Sequence, residues 1–127
     1  MQDMRTPLGK VRGLGSAKEG TGHFWTQRMS AVALVPLVIY FIGLVICLNG
    51  AGYAEVRAAI AHPFNAIVMA LFVLTGVYHM RLGMQVIIED YIHGEGLKIV
   101  CVMLNTFFAI VVGGASVFAI LKLSFGG

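Results

Sequence analysis

Polar and apolar positions along this chain are segregated into blocks rather than alternated. Residues 1–22 are polar and rich in glycine. Three long apolar runs follow, at about Met29–Leu48, Asn65–Ile88 and Ile99–Leu121, with short polar connections between them. At 1.5 Å per residue, each run is long enough to cross a hydrocarbon core of about 30 Å as a helix. Strand alternation is absent, so the pattern predicts an all-α membrane protein with three transmembrane helices. The turn residues Asn49-Gly50-Ala51-Gly52 end the first span, and Pro63 opens the second at a position where proline suits a helix start. A short surface helix is expected through Ala54–Ala61, and a polar connection over Glu89–Lys98. Pro36 falls inside the first span, where a membrane helix tolerates it.

This pattern divides the chain into a tail (1–28), a three-helix anchor domain (29–122) and a C-terminal stub (123–127). Residues 1–22 are expected to be extended, and Trp25, in the approach to the membrane at 23–28, to be an interfacial anchor. Small residues mark the faces expected to pack: Gly76 and Gly83 on the second span, and Gly113, Gly114, Ala115 and Ser116 on the third.

Composition agrees with the pattern. The chain has 127 residues, 58% of them hydrophobic and 12% charged, which leaves too little polar surface for a soluble domain. The charge distribution adds an orientation. Arg5, Lys10, Arg12, Lys18 and Arg28 precede the first span, and Lys98 lies on the same side, against Arg57 and Lys122 on the other. The positive-inside rule then puts the N-terminus in the cytoplasm and the C-terminus outside. No basic face with interleaved aromatics points to nucleic acid. Cys47 and Cys101 have neither CxxC spacing nor a nearby histidine, so both read as small buried apolar residues. No signal peptide is visible, and the tail's Asp3, Glu19 and glycines make a poor mitochondrial presequence. A bacterial cytoplasmic (inner) membrane is the expected location.

Chemistry concentrates on the second span. Only His79 among the four histidines lies inside an apolar run, and an intramembrane imidazole is costly unless something binds it. Gly76, His79, Gly83 and Asp90 share one stripe of the helix. His79 and Asp90 differ by only about 20° around the axis and by about 16 Å along it. Two readings of the stripe stand. The glycines leave a flat patch where a porphyrin lies beside a ligating imidazole, or they serve close helix packing around a histidine that hydrogen-bonds across helices. A bis-histidine haem would need its second ligand from another chain. Asp90-Tyr91 at the helix end reads either as a quinone-binding phenol with a neighbouring carboxylate or as an interfacial tyrosine beside a solvated acid. Arg28 suits a haem propionate or a plain membrane anchor. Arg81 is deep enough to require the bundle interior, a propionate or snorkelling. His23 and His93 read as solvated loop residues. No nucleophile–base pair, phosphate loop or metal quartet is present.

The segment from His79 through Gly83-Met84 to Glu89-Asp90-Tyr91 resembles the second membrane helix of the small hydrophobic anchor subunit of succinate dehydrogenase (the SdhD family). The approach His23-Phe24-Trp25-Thr26-Gln27-Arg28-Met29-Ser30 extends the resemblance to the first span, and the three-span layout extends it over nearly the whole chain. The resemblance implies that these helices form half of a heterodimeric anchor bundle, with an SdhC-type cytochrome b anchor as the other half. It implies that His79 is an axial ligand of haem b, with the second ligand from that sister anchor. Tyr91 would hydrogen-bond ubiquinone, Asp90 would be the adjacent acid, and Arg28 would lie near the haem propionates and quinone pocket. The iron–sulfur subunit would complete the quinone site, and together with the flavoprotein subunit would oxidise succinate. The expected function is therefore that of a membrane anchor of succinate:ubiquinone oxidoreductase. The alternatives are an anchor of a quinol:fumarate reductase and a structural or assembly membrane protein. The glycine-rich tail has no assigned role.

Overall fold

The computed structural model describes residues 6–13 and 20–126, and among these it is helical with no strand. Five helices follow one another: α1 (Pro7–Val11), α2 (Gly20–Cys47), α3 (Tyr53–Ala61), α4 (Pro63–Tyr91) and α5 (Glu95–Ser124). Three of them, α2, α4 and α5, are long and apolar enough to cross a membrane. At 28, 29 and 30 residues they are about 42–45 Å long, so their ends must stand clear of a hydrocarbon core of about 30 Å.

The helices extend beyond the expected spans, each for a local reason. The tail, expected to be extended through residue 22, is helical at Pro7–Val11 and again from Gly20, and the approach at 23–28 continues that second helix. Proline is absent there, Arg28 lies over the Phe24 ring one turn back at 4.8 Å, and Thr26 Oγ1 donates to the Gly22 and His23 carbonyls. The part of the predicted tail at 1–5 and 14–19 lies outside the described residues. The second polar connection shrinks to Ile92–Gly94, because nothing between Gly83 and Tyr91 breaks a helix and Gln85 donates to Glu89 at 2.8 Å across one turn. α5 then starts at once, with Glu95 in its first turn and Lys122 in its last, each matching the helix dipole. The short helix expected between the first two spans forms. Gly50, with φ of +82°, makes the turn ahead of it, and the Glu55 carboxylate accepts from the Gly52 N–H at 3.1 Å.

The layout is a flat layer rather than a closed bundle. α4 is central and packs against α2 on one side and α5 on the other, and α2 and α5 do not meet. No described side chain is fully enclosed, and the most buried apolar residues, Ala66, Leu82, Ile88, Ala109 and Ile120, all lie on α4 or α5. Glycine makes the α4–α5 seam close: a methyl group at Gly113 would stand 3.4 Å from Val77 Cγ1. Gly114 and Ala115, beside it in sequence, are exposed. Cys101 is half-buried, but Cys47 is exposed, contrary to the expectation of burial, because α2 has a single long neighbour.

Candidate functional site at the seam between the first and second spans

α2 and α4 run antiparallel in even register. Near the α3 end, Tyr40 donates to Asn65 Oδ1, while Asn65 Nδ2 donates to the Ala59 carbonyl at 2.7 Å, tying α3 to both long helices. The Phe41 and Phe72 rings stack at 4.9 Å. Further along, a methyl group at Gly76 would meet Leu34 Cδ2 at 3.8 Å, and one at Gly83 would meet Gln27 Nε2 at 3.4 Å. Between those two glycines, Ser30 Oγ lies 2.9 Å from His79 Nδ1. The stripe Gly76–His79–Gly83 therefore faces α2 of this same chain. A methyl group at either glycine would make only an ordinary contact with one α2 side-chain atom.

His79 is held by one ring nitrogen only. Its Nε2 has no hydrogen-bond partner among the described residues, and it is not sealed in the interior. Ser30 itself is 7% exposed and donates to the Gln27 carbonyl at 3.0 Å. A neutral imidazole with one nitrogen anchored and the other open fits a haem-iron ligand. Among the described residues no cluster of three or more His, Cys, Asp or Glu could hold a bare metal ion, so the donor set offered here is this single imidazole.

The other expected site residues are dispersed around it. Arg28 is exposed and occupied with the Phe24 ring. It is two residues from Ser30, which turns it away from the α2–α4 seam. Arg81 faces the opposite seam: its Nε donates to Thr106 Oγ1 at 3.3 Å, and Asn105 Nδ2 donates to its carbonyl at 2.9 Å. That places Arg81, half-buried, in the α4–α5 seam, away from His79. Asp90 and Tyr91 form the last turn of α4, both exposed, Tyr91 at 79%, with no side-chain partner among the described residues. Tyr91 stands twelve residues beyond His79, about 18 Å along the axis. His93 is exposed in the connection, as expected.

Sequence reasoning missed three groups. His23 is not a solvated loop residue: it lies on α2, half-buried, and its Nε2 is enclosed without a partner. Gln27, one turn on, has an enclosed and unpartnered Oε1. Ser30 makes the cross-helix bond. The spacing His23, Gln27, Ser30 by four and three was the available signal, since it puts three polar groups on one face at the head of an apolar helix.

A family model described as succinate dehydrogenase/fumarate reductase transmembrane subunit matches residues 2–113. The chain belongs to that family. Among named relatives, the succinate dehydrogenase hydrophobic membrane anchor subunit of Paracoccus denitrificans is 36% identical over 95% of this chain and 93% of its own length. Its counterpart in Rickettsia bellii is 32% identical over 85% of this chain and 86% of its own. The succinate dehydrogenase membrane anchor subunit of Reclinomonas americana is 34% identical over 73% and 80% respectively. No solved structure matches the chain significantly. The matched region runs through all of α2, α3 and α4 and more than half of α5, so family membership covers the seam that holds His79.

Proposed function

We propose that the chain is the hydrophobic anchor subunit of a succinate:ubiquinone oxidoreductase, respiratory complex II. In this role it supplies one axial ligand of haem b and part of the ubiquinone site. The observation that carries the reading is His79, fixed through Nδ1 in the α2–α4 seam with Nε2 open. It is supported by family membership and by relatives whose names specify succinate dehydrogenase, which favours this over a fumarate reductase anchor. Haem b bound there supplies a one-electron store beneath the quinone. A single imidazole implies that the second ligand comes from a cytochrome b anchor of the SdhC type. Gly76 and Gly83 serve the site by letting α2 approach closely enough to hold the ring.

Tyr91 and Asp90 stand at the end of a helix that outlasts the hydrocarbon core, so they sit at headgroup depth. There the phenol donates to a ubiquinone carbonyl and the carboxylate orients the surrounding polar groups. The iron–sulfur subunit covers this end and delivers electrons, and the flavoprotein subunit oxidises succinate behind it. Arg28, on the outward face of α2, is free to turn to a propionate or to the quinone pocket. The excess of Lys and Arg before α2 orients the N-terminus to the cytoplasm of a bacterial inner membrane, which puts the quinone site on the cytoplasmic side.

The test is the optical and electron paramagnetic resonance spectrum of the purified complex with His79→Ala. Loss of the low-spin haem signal is expected. An unaltered bis-histidine spectrum would overturn the assignment.

A further inference from the structure

We infer that Ser30 is the positioning residue of His79: it fixes the Nδ1–H tautomer and thereby presents a bare Nε2 to the iron. This rests on the haem reading above. Two distances determine the proton positions. Ser30 Oγ is 3.0 Å from the Gln27 carbonyl oxygen and 2.9 Å from His79 Nδ1. A hydroxyl has one hydrogen, and a carbonyl can only accept. The Ser30 hydrogen therefore goes to Gln27, and Oγ must accept from the ring, so Nδ1 carries the imidazole's single proton.

The reverse arrangement is worse at both ends. Turning the hydroxyl toward the ring would leave two oxygens 3.0 Å apart with no proton between them. It would also move the ring proton to Nε2, where no described residue accepts it. The bond depends on the close approach of α2, since the serine hydroxyl oxygen is bonded directly to Cβ and has a short reach. The small residues Gly76 and Gly83, on the turns either side of His79, leave room for that approach, and a methyl group at either would make only an ordinary contact. Burial adds force to the assignment. Ser30 is the one buried polar side chain among the described residues, and helix propensity gives no reason for serine in an apolar membrane helix. An acceptor on Nδ1–H also makes Nε2 more basic and strengthens its hold on ferric iron.

The experiment compares Ser30→Ala, Ser30→Thr and Ser30→Cys in the purified four-subunit complex. It reads the rate of haem loss and the haem midpoint potential. Loss of such a supporting bond typically weakens metal retention by about 10- to 100-fold. Ser30→Ala should therefore lose haem about tenfold faster or more, with the potential shifted upward, because the ferric form loses its support. Ser30→Thr, which keeps the hydroxyl on the same helix turn, should restore both. Wild-type haem loss and potential in Ser30→Ala would overturn the role of Ser30. So would a downward shift. If Ser30→Ala does not assemble, Ser30→Cys decides against Ser30→Thr: sulfur is a weak acceptor, so only the cysteine variant should shift, and two unshifted variants would overturn the inference. Failure of the haem reading is separate, because it appears as an intact low-spin spectrum in His79→Ala.

Discussion

Gly83 is where packing at the seam can be tested most directly. A Cβ built there meets one neighbouring atom, Gln27 Nε2, at 3.4 Å. That atom is the far end of a flexible side chain, so a methyl group needs no backbone shift. Gly83→Ala also gains up to about 1 kcal/mol of helix propensity, and the sum should lie near zero or be slightly favourable. Gly83→Leu is different. Its branched end must occupy the volume of the Gln27 amide, so α2 moves outward or Gln27 is expelled. Overpacking of this kind costs about 1–3 kcal/mol, which is about 5- to 150-fold in the population of correctly closed seams. A displaced α2 also carries Ser30 away from His79. Gly114→Leu is the matched control, since Gly114 is helical and exposed and nothing stands within 4 Å of its added Cβ. The assay is haem-to-flavin ratio and thermal unfolding of the purified complex. Gly83→Ala and Gly114→Leu should match wild type, and Gly83→Leu should fall in both. Equal behaviour of the two leucine variants would refute a crowded seam, and a fall in Gly83→Ala would show that a rigid group, not the Gln27 amide, limits the space.

Tyr91→Phe should lower ubiquinone reduction about fivefold, the equivalent of a lost neutral hydrogen bond of about 1 kcal/mol, while succinate oxidation with an artificial acceptor and the haem spectrum stay normal; unchanged quinone reduction and inhibitor affinity would return Tyr91 to an interfacial anchor. Asn105→Ala should cost only about 0.6 kcal/mol of stability, the average for a hydrogen bond between membrane helices, because the Arg81 carbonyl it serves lies within a helix; a loss above about 2 kcal/mol would show a larger network. Asn65→Ala should loosen α3, which it ties to α2 and α4, seen as faster amide exchange over residues 53–61 with no change in haem content. Lys10→Cys and Gly126→Cys, in a background with Cys47 and Cys101 replaced, should differ in intact cells, with only position 126 reached by an impermeant thiol reagent; labelling at position 10 alone would invert the orientation.

The three spans were legible in the sequence because apolar runs of this length have few alternatives. Their ends were not, because hydropathy reports where lipid stops rather than where the backbone stops being helical. Glu89, Asp90 and Tyr91 are polar and still helical, and so are His23 through Arg28. The stripe Gly76–His79–Gly83 was also legible as a stripe, but its partner was not. Periodicity fixes which residues share a face and says nothing of what the face meets, so a patch open enough for a porphyrin and a seam against α2 gave the same pattern. Ser30 was hidden for a similar reason. A serine near a helix start is unremarkable until the register of a second helix places it opposite a histidine.

The arrangement of satisfied and open polar groups separates what this chain does alone from what it leaves to others. Along the α4–α5 seam, Arg81, Asn105 and Thr106 are bonded within the chain, and at the α3 end Tyr40 and Asn65 are as well. These bonds fix helix register, which apolar contacts in lipid cannot do, since lipid tails are as apolar as the side chains they would replace. Among the groups left open are His79 Nε2, Asp90 and Tyr91 on α4 and, on α2, the enclosed His23 Nε2 and Gln27 Oε1. An unsatisfied polar group costs most at membrane depth, so an open one there is stable only if a partner or cofactor meets it. The layer's own shape provides for that meeting: α2 and α5 do not close over α4, and no side chain among the described residues is fully enclosed. Helices of another subunit can therefore reach the half of the seam that carries His79 without first displacing contacts this chain makes with itself.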